Sequence, residues 1–365
     1  MAETMSNAFK WSSQLHTKSL FRGARVRRGA CRKLAACKTA QVVPFLVSAL
    51  ANRDDEIRRI AKEALLALTD SVAIEALYLG YVFTKEPAVQ RILNALGRHV
   101  PDGAEPLLPD RRESSPLPSP AEEVWQLRNS RDQTVLAFIP EGGFLSGKEN
   151  VHVHLPAYYL AYSCVTNAQY ARFLTEQQPS PSRLEAWISL QPAGAISKRA
   201  NTYAPDPQKA DFPAVWVTQE GAAAYCRWAG LRLPNELEWE KGARGVDGRQ
   251  YPWGDEWEDG RPRPAAGERK PEEIASVWAH PSARSPYGLY QMIGNVYEWC
   301  SNPYEQTAHE HCANGNSAVQ CECGRVLRGG PWCFGTPAFL RTEYRKSTVW
   351  RAGTLLCGFR CAKDC

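Results

Sequence analysis

The residues of this 365-residue chain that could do chemistry gather toward its C-terminus. His309, His311, Cys312, Cys321 and Cys323 bring close ligands, a short loop and a Cys-x-Cys pair together, the donor types of a tetrahedral zinc site. Their spacing is not that of a standard zinc finger, and the alternative is a polar surface loop with incidental thiols. Farther on, Gly329-Gly330 permits a tight backbone turn. Trp332 and Phe359 are large apolar anchors, and Arg328, Arg341, Arg345 and Arg360 are planar donors suited to tying loops together. Between these anchors stand Cys333, Phe334, Phe339, Tyr344, Val349, Trp350, Leu355 and Leu356, with neither the helical nor the strand period. A polar frame around a non-periodic aromatic insert is what a loop-built binding surface needs; the alternative is core of irregular backbone. Cys333 is the one thiol between Trp332 and Arg341. Cys357, Cys361 and Cys365 follow four apart, the first two read as core packing.

The elements that would position these residues have two textures. Residues 1–15 read as a disordered start and 16–100 as helices. Val43, Leu46, Val47 and Leu50 share one face. After the turn Asn52-Arg53-Asp54-Asp55, Ile57, Ile60, Ala61, Ala64, Leu65 and Leu68 share another. Further helical stretches follow Asp70 and end near Leu96. Paired helices with short polar turns resemble a short HEAT-type array, a unit that binds partners or braces a neighbour. Residues 101–121 form a linker whose proline density resists helix and sheet. In 122–365, Val135 to Pro140 reads as a strand and Val151-His152-Val153-His154-Leu155 alternates like a half-buried one. Thr166, Thr218 and Asn235 sit where helix caps belong, and Glu238, three after Asn235, completes a capping-box pattern. Beyond Gly245 the helical pattern stops. The fold class is α+β: a small helical domain, then a loop-rich domain.

The net charge of +5 hides an asymmetry. Lys10, Lys18, Arg22, Arg25, Arg27, Arg28, Arg32, Lys33 and Lys38 face Glu3 alone in the first 38 residues. Such an arm suits nucleic acid, an acidic partner or an anionic surface; the alternative is a solvated helix face. No apolar run reaches the roughly 18 residues of a membrane span, and no apolar stretch follows the N-terminal charges as in a secretory signal. The expectation is a cytoplasmic protein whose 12 cysteines are free thiols or ligands.

Ile139-Pro140-Glu141-Gly142-Gly143-Phe144, Val165-Thr166-Asn167, Leu231-Arg232-Leu233-Pro234, Tyr251-Pro252-Trp253-Gly254-Asp255, Gly294-Asn295-Val296-Tyr297-Glu298-Trp299, Leu327-Arg328-Gly329-Gly330 and Gly358-Phe359-Arg360 occur in that order. Together they resemble the formylglycine-generating-enzyme, or sulfatase-modifying-factor, family over about residues 133–363. The resemblance implies a C-type-lectin-like fold with a small antiparallel sheet. It also implies a structural calcium ion held by the Gln291 side chain, the Gly294 and Val296 carbonyls and Glu298, oxygen donors that suit a hard cation. Gln291 stands where the family usually has Asn; the alternative is that Glu298 pairs with a core arginine.

Function within the family divides, and fold does not settle it. The copper oxidase members need two thiolates five apart after the Gly-Gly-x-Trp motif, soft ligands for Cu(I). Counting from Trp332 the positions are Phe334 and Phe339; counting back from Arg341 they are Trp332 and Pro337. Neither register supplies a pair. The iron oxygenases need three histidines, two of them four apart on a helix, a spacing these histidines lack on any plausible helix. The variable proteins of diversity-generating retroelements instead display rewritten residues on C-terminal loops. The frame here resembles theirs, and its candidate contacts are Cys333, Phe334, Thr336, Phe339, Thr342, Tyr344, Ser347, Val349, Trp350, Leu355 and Leu356. Trp350 and Gly353 replace the Pro and Arg usual in the family.

The reading is a non-catalytic protein that binds a protein ligand through these loops; the alternative is a metal-dependent oxidase or oxygenase using Cys333 or the His309–Cys323 cluster. Metal analysis of purified protein separates the two. The binding reading expects no stoichiometric copper or iron, and either metal at one per chain would favour the enzyme.

Overall fold

The structure is a computed structural model that describes residues 10–11, 14–15, 23–84, 86–98, 124–190, 195–258, 261, 274–305, 324–331, 336–348, 353–354 and 356–365. Helices α1 (Gly23–Cys37), α2 (Val43–Ala49), α3 (Asp55–Leu66), α4 (Ser71–Thr84) and α5 (Pro87–Ala95) form the N-terminal unit. Asp54 caps α3 by accepting from the Glu56 N–H, and Glu86 does the same for α5. The apolar stripe read for α3 is buried at Ile57, Ile60, Ala61 and Leu65.

The second unit starts with β1 (Gln126–Arg128), β2 (Val135–Ile139), β3 (Gly142–Ser146), β4 (Val151–Leu155) and β5 (Tyr158–Ala161). Then come α6 (Asn167–Gln177), α7 (Pro181–Trp187), β6 (Ile196–Arg199), β7 (Thr202–Pro205), α8 (Gln219–Ala229) and α9 (Glu236–Arg244). The chain closes with β8 (Tyr297–Pro303), β9 (Arg325–Arg328), β10 (Lys346–Thr348), β11 (Cys357–Gly358) and β12 (Ala362–Asp364). Helix α6 is capped at Thr166 and α9 at Asn235, as the sequence reads, and both caps are capping boxes, the one at Thr166 closed by Gln169.

One sheet runs β1-β2-β5-β12 and a second runs β10-β9-β8-β11. Because β12 pairs with β5, Lys363 opposite Tyr159, the chain's last residues close on the start of the domain. In the second sheet Glu298 of β8 lies opposite Arg328 of β9 and Gly358 of β11. This register brings the Gly-Gly and Gly-Phe-Arg motifs to one layer.

The helical unit docks on its own chain. Phe45 of α2 meets Phe138 of β2 edge to face at 5.4 Å, and Trp125 meets Phe138 at 5.8 Å. The Trp125 indole N–H donates to the Ala76 carbonyl at 3.1 Å. A Cβ on Gly80 would stand 2.8 Å from the Trp125 ring, so α4 needs glycine there to lie this close. Both units share one buried apolar cluster. The apolar face of α2 therefore braces the neighbouring sheet. The basic arm is also partly neutralised within the chain, since Arg28 pairs with Asp54 at 2.9 Å and Arg32 with Glu56 at 3.1 Å.

Among the described residues, no helix is long and apolar enough to cross a membrane. Most of the start and all of the linker lie outside the described residues. We expect Phe45→Ala to lower stability by roughly 3–5 kcal/mol, the usual cost of emptying a buried phenylalanine site. Urea denaturation followed by tryptophan fluorescence measures this; a loss under about 1 kcal/mol would show that α2 does not brace the sheet.

Candidate functional site

Helix α9 organises the region around the C-terminal loops. All of its residues are buried, including Glu236, Glu238, Glu240, Lys241 and Arg244. Buried charges persist only when each finds partners. Glu240 accepts from Ser146 Oγ at 3.1 Å, the Gly147 N–H at 2.7 Å, Arg244 at 2.8 Å and Arg328 at 2.5 Å. Arg328 lies over the Trp239 ring at 5.3 Å and also donates to the Glu343 and Tyr344 carbonyls. Glu236 takes both arms of Arg345, at 2.5 and 2.8 Å. Arg345 stacks over Tyr304 at 4.7 Å. Two glutamates one helical turn apart thus pin residues 343–345 through two arginines.

The turn into this loop depends on glycine. Gly329 and Gly330 have φ of +95° and +67°, and a Cβ on Gly330 would lie 2.7 Å from the Phe339 carbonyl oxygen. Leu340 is buried. Thr342 donates its N–H to the Gln250 carbonyl at 2.8 Å and its hydroxyl to the Arg249 and Gln250 carbonyls at 3.0 Å. Phe339 faces outward, 42% exposed, packed edge to face on half-buried Tyr344 at 5.3 Å.

The candidate contacts therefore divide. Thr336, Phe339 and Ser347 are exposed and Tyr344 and Leu356 half-buried. Thr342 is a correction: it faces inward, because its hydroxyl closes the junction with residues 249–250. Cys333, Phe334, Val349, Trp350 and Leu355 lie outside the described residues, as does the whole zinc candidate His309, His311, Cys312, Cys321 and Cys323.

The calcium ligands expected at Gln291, Gly294, Val296 and Glu298 do not fit a hard cation here. Glu298 receives both arms of Arg360 at 2.6 and 2.7 Å, the Trp239 indole N–H at 2.8 Å and the Cys164 thiol at 3.3 Å. Arg360 supplies the positive charge a cation would bring. The Gln291 amide oxygen accepts from Asn295 at 2.6 Å, while its nitrogen donates to the Ser276 and Ala279 carbonyls. The turn is closed by amides and the carboxylate by a guanidinium. No group of three or more His, Cys, Asp or Glu among the described residues could hold a metal ion.

The buried thiols sit in surroundings that oppose charge. Burial pushes Cys164, Cys300 and Cys361 well above the ordinary cysteine value and raises Cys357 to about 11. Burial thus disfavours the thiolate, the nucleophilic form, at these four positions.

The sequence profile of the Sulfatase-modifying factor enzyme 1-like domain matches residues 122–365, and the chain belongs to that family. The serine/threonine-protein kinase Pkn1 of Chlamydia trachomatis serovar L2 is 36% identical over 247 residues, 63% of this chain and 38% of that protein. The chain thus spans under two fifths of that relative's length. The inactive C-alpha-formylglycine-generating enzyme 2 of Bos taurus is 34% identical over 170 residues, 42% of this chain and 51% of that protein. The structure of PvdO from Pseudomonas aeruginosa superposes with a TM-score of 0.51 at 20% identity, covering 66% of this chain and 98% of that one. It shares the fold.

Sequence reasoning missed the clasp around Lys241. Its amine donates to the Pro140 carbonyl at 2.6 Å and the Gly142 carbonyl at 3.2 Å. Glu141, between them, binds Asn52 at 3.3 Å, His154 at 3.2 Å and, through its N–H, Ser48 Oγ at 2.9 Å. Burial pushes the Lys241 ammonium down to about 7, with Glu141 opposing. The unfolded chain then holds a proton that the folded chain releases between about pH 7 and the ordinary lysine value near 10.4. Lys241 therefore makes the folded state gain stability as pH rises through that window and contributes no slope below it. Denaturation of wild type and Lys241→Met across pH 6 to 10 should give a stability difference that shifts in favour of wild type above pH 7; parallel curves would contradict this.

Proposed function

We propose that this chain is a binding protein that captures a protein ligand on the loops between Arg328 and Cys357. The observation that carries the reading is the Phe339–Tyr344 pair: exposed Phe339 on half-buried Tyr344, in a segment pinned by buried Arg328 and Thr342 and by part-buried Arg345. Rigid aromatics on a fixed backbone give contact area at low entropy cost. Arg360 on the Glu298 carboxylate, where the resemblance implies a metal ligand, supports the binding reading. The family relative named as an inactive formylglycine-generating enzyme supports it as well. Display of diversified residues, as in retroelement variable proteins, is the form of binding that the C-terminal frame fits best.

The second reading is the family's metal-dependent oxidation, which would fall to Cys333. Two measurements separate them. Full-length protein supplied with Cu(I), oxygen and a cysteine-bearing peptide should form no aldehyde, whereas turnover lost on Cys333→Ser would establish the enzyme. Phe339→Ala should reduce retention of the ligand by immobilised protein about tenfold or more, as hot-spot truncations do, with Tm within about 2 °C of wild type. Unchanged retention, or a large fall in Tm, would contradict a contact role.

A further inference from the structure

Beside the Phe339–Tyr344 pair lies a second aromatic group, fixed to it through the Thr342 bonds to residues 249–250. Tyr251 and Trp253 stack at 5.5 Å with planes 12° apart, and Trp257 packs on Tyr251 at 5.3 Å. Tyr251 is buried beneath; Trp253 and Trp257 are partly exposed. The Trp253 indole N–H donates to the Glu256 carbonyl at 3.0 Å, which fixes the ring. Around the rings stand Asp255, Glu256 and Glu258, all exposed. Asp255 and Glu256 make no ion pair among the described residues.

One cation already uses this surface. The Arg261 guanidinium lies 5.8 Å from the Trp253 ring centre, its Nε 2.5 Å from Glu258, and its Nη1 donates to the Ser282 carbonyl at 3.0 Å. A tryptophan face flanked by carboxylates attracts a guanidinium twice, through the ring quadrupole and through charge. The pair with Glu258 is solvent-exposed and so contributes little.

We infer that the Trp253 face and its Asp255–Glu258 rim form a cation-binding platform for an arginine-bearing segment of a partner protein, which displaces Arg261. The inference rests on the reading of the neighbouring loops as a binding surface and names the chemistry of their partner. Arg261 holds the platform closed to weak competitors, since an incoming guanidinium must replace an internal one.

The test is a tryptophan-fluorescence titration of the full chain with an acetylated (Gly-Arg)4 amide, beside its (Gly-Glu)4 counterpart. The arginine peptide should bind and the glutamate peptide should not. Arg261→Ala should bind the arginine peptide about 3-fold tighter or more, and Trp253→Ala about tenfold weaker. Asp255→Asn with Glu256→Gln, which leaves the rings in place, should weaken binding several-fold and reduce its salt dependence. Equal affinity of wild type, Trp253→Ala and Arg261→Ala would overturn the platform, as would absence of binding in both wild type and Arg261→Ala. Loss in Phe339→Ala with retention in Trp253→Ala would overturn it and leave the loop reading standing. Dimerisation in sedimentation velocity, abolished by Trp253→Ala, would make a second copy the occupant and overturn the partner assignment.

Discussion

The ion pair between Glu298 and Arg360 is the constraint on which the rest of the domain depends. Both side chains are buried, and they meet through two short hydrogen bonds. Arg360 also donates to the Ala161 and Tyr290 carbonyls, so one guanidinium ties β5, the 290s turn and the chain's C-terminal segment to β8. Glu298 reaches back to Trp239 on α9. A buried pair of this kind is weak evidence of net stabilisation, because taking two charges from water offsets most of their attraction. Its consequence here is geometric: every other arrangement leaves a charge buried without a partner.

The same logic repeats outward from α9. Glu240 holds Arg328 and Glu236 holds Arg345, and the two arginines fix the backbone from which Phe339 and Tyr344 project. A short helix inside the domain thus sets the position of side chains on its surface. Sequence change at the outward positions leaves these bonds intact, since they run through backbone carbonyls and framework side chains. This is the physical property that a display scaffold requires, and it is independent of any particular ligand.

What could be read from sequence follows the distance over which each interaction acts. The caps at Thr166 and Asn235 were legible because they join residues within one helical turn. The apolar stripe of α3 was legible for the same reason. The inward role of Thr342 was not, since its partners lie 92 and 93 residues away. Arg328, the partner that Glu240 holds under the loop, is 88 residues distant, and the turn at Gln291 has the composition of a cation loop although an arginine 62 residues from Glu298 takes the carboxylate. Docking of the helical unit was equally hidden, because an apolar helix face does not name the surface it covers.

If the Glu298–Arg360 pair holds the framework, Glu298→Gln should undo it. The variant keeps the shape of the side chain and leaves Arg360 buried without its counter-charge. Guanidinium chloride denaturation should show a loss of roughly 3–5 kcal/mol. A loss below about 1 kcal/mol would show that packing alone holds the domain.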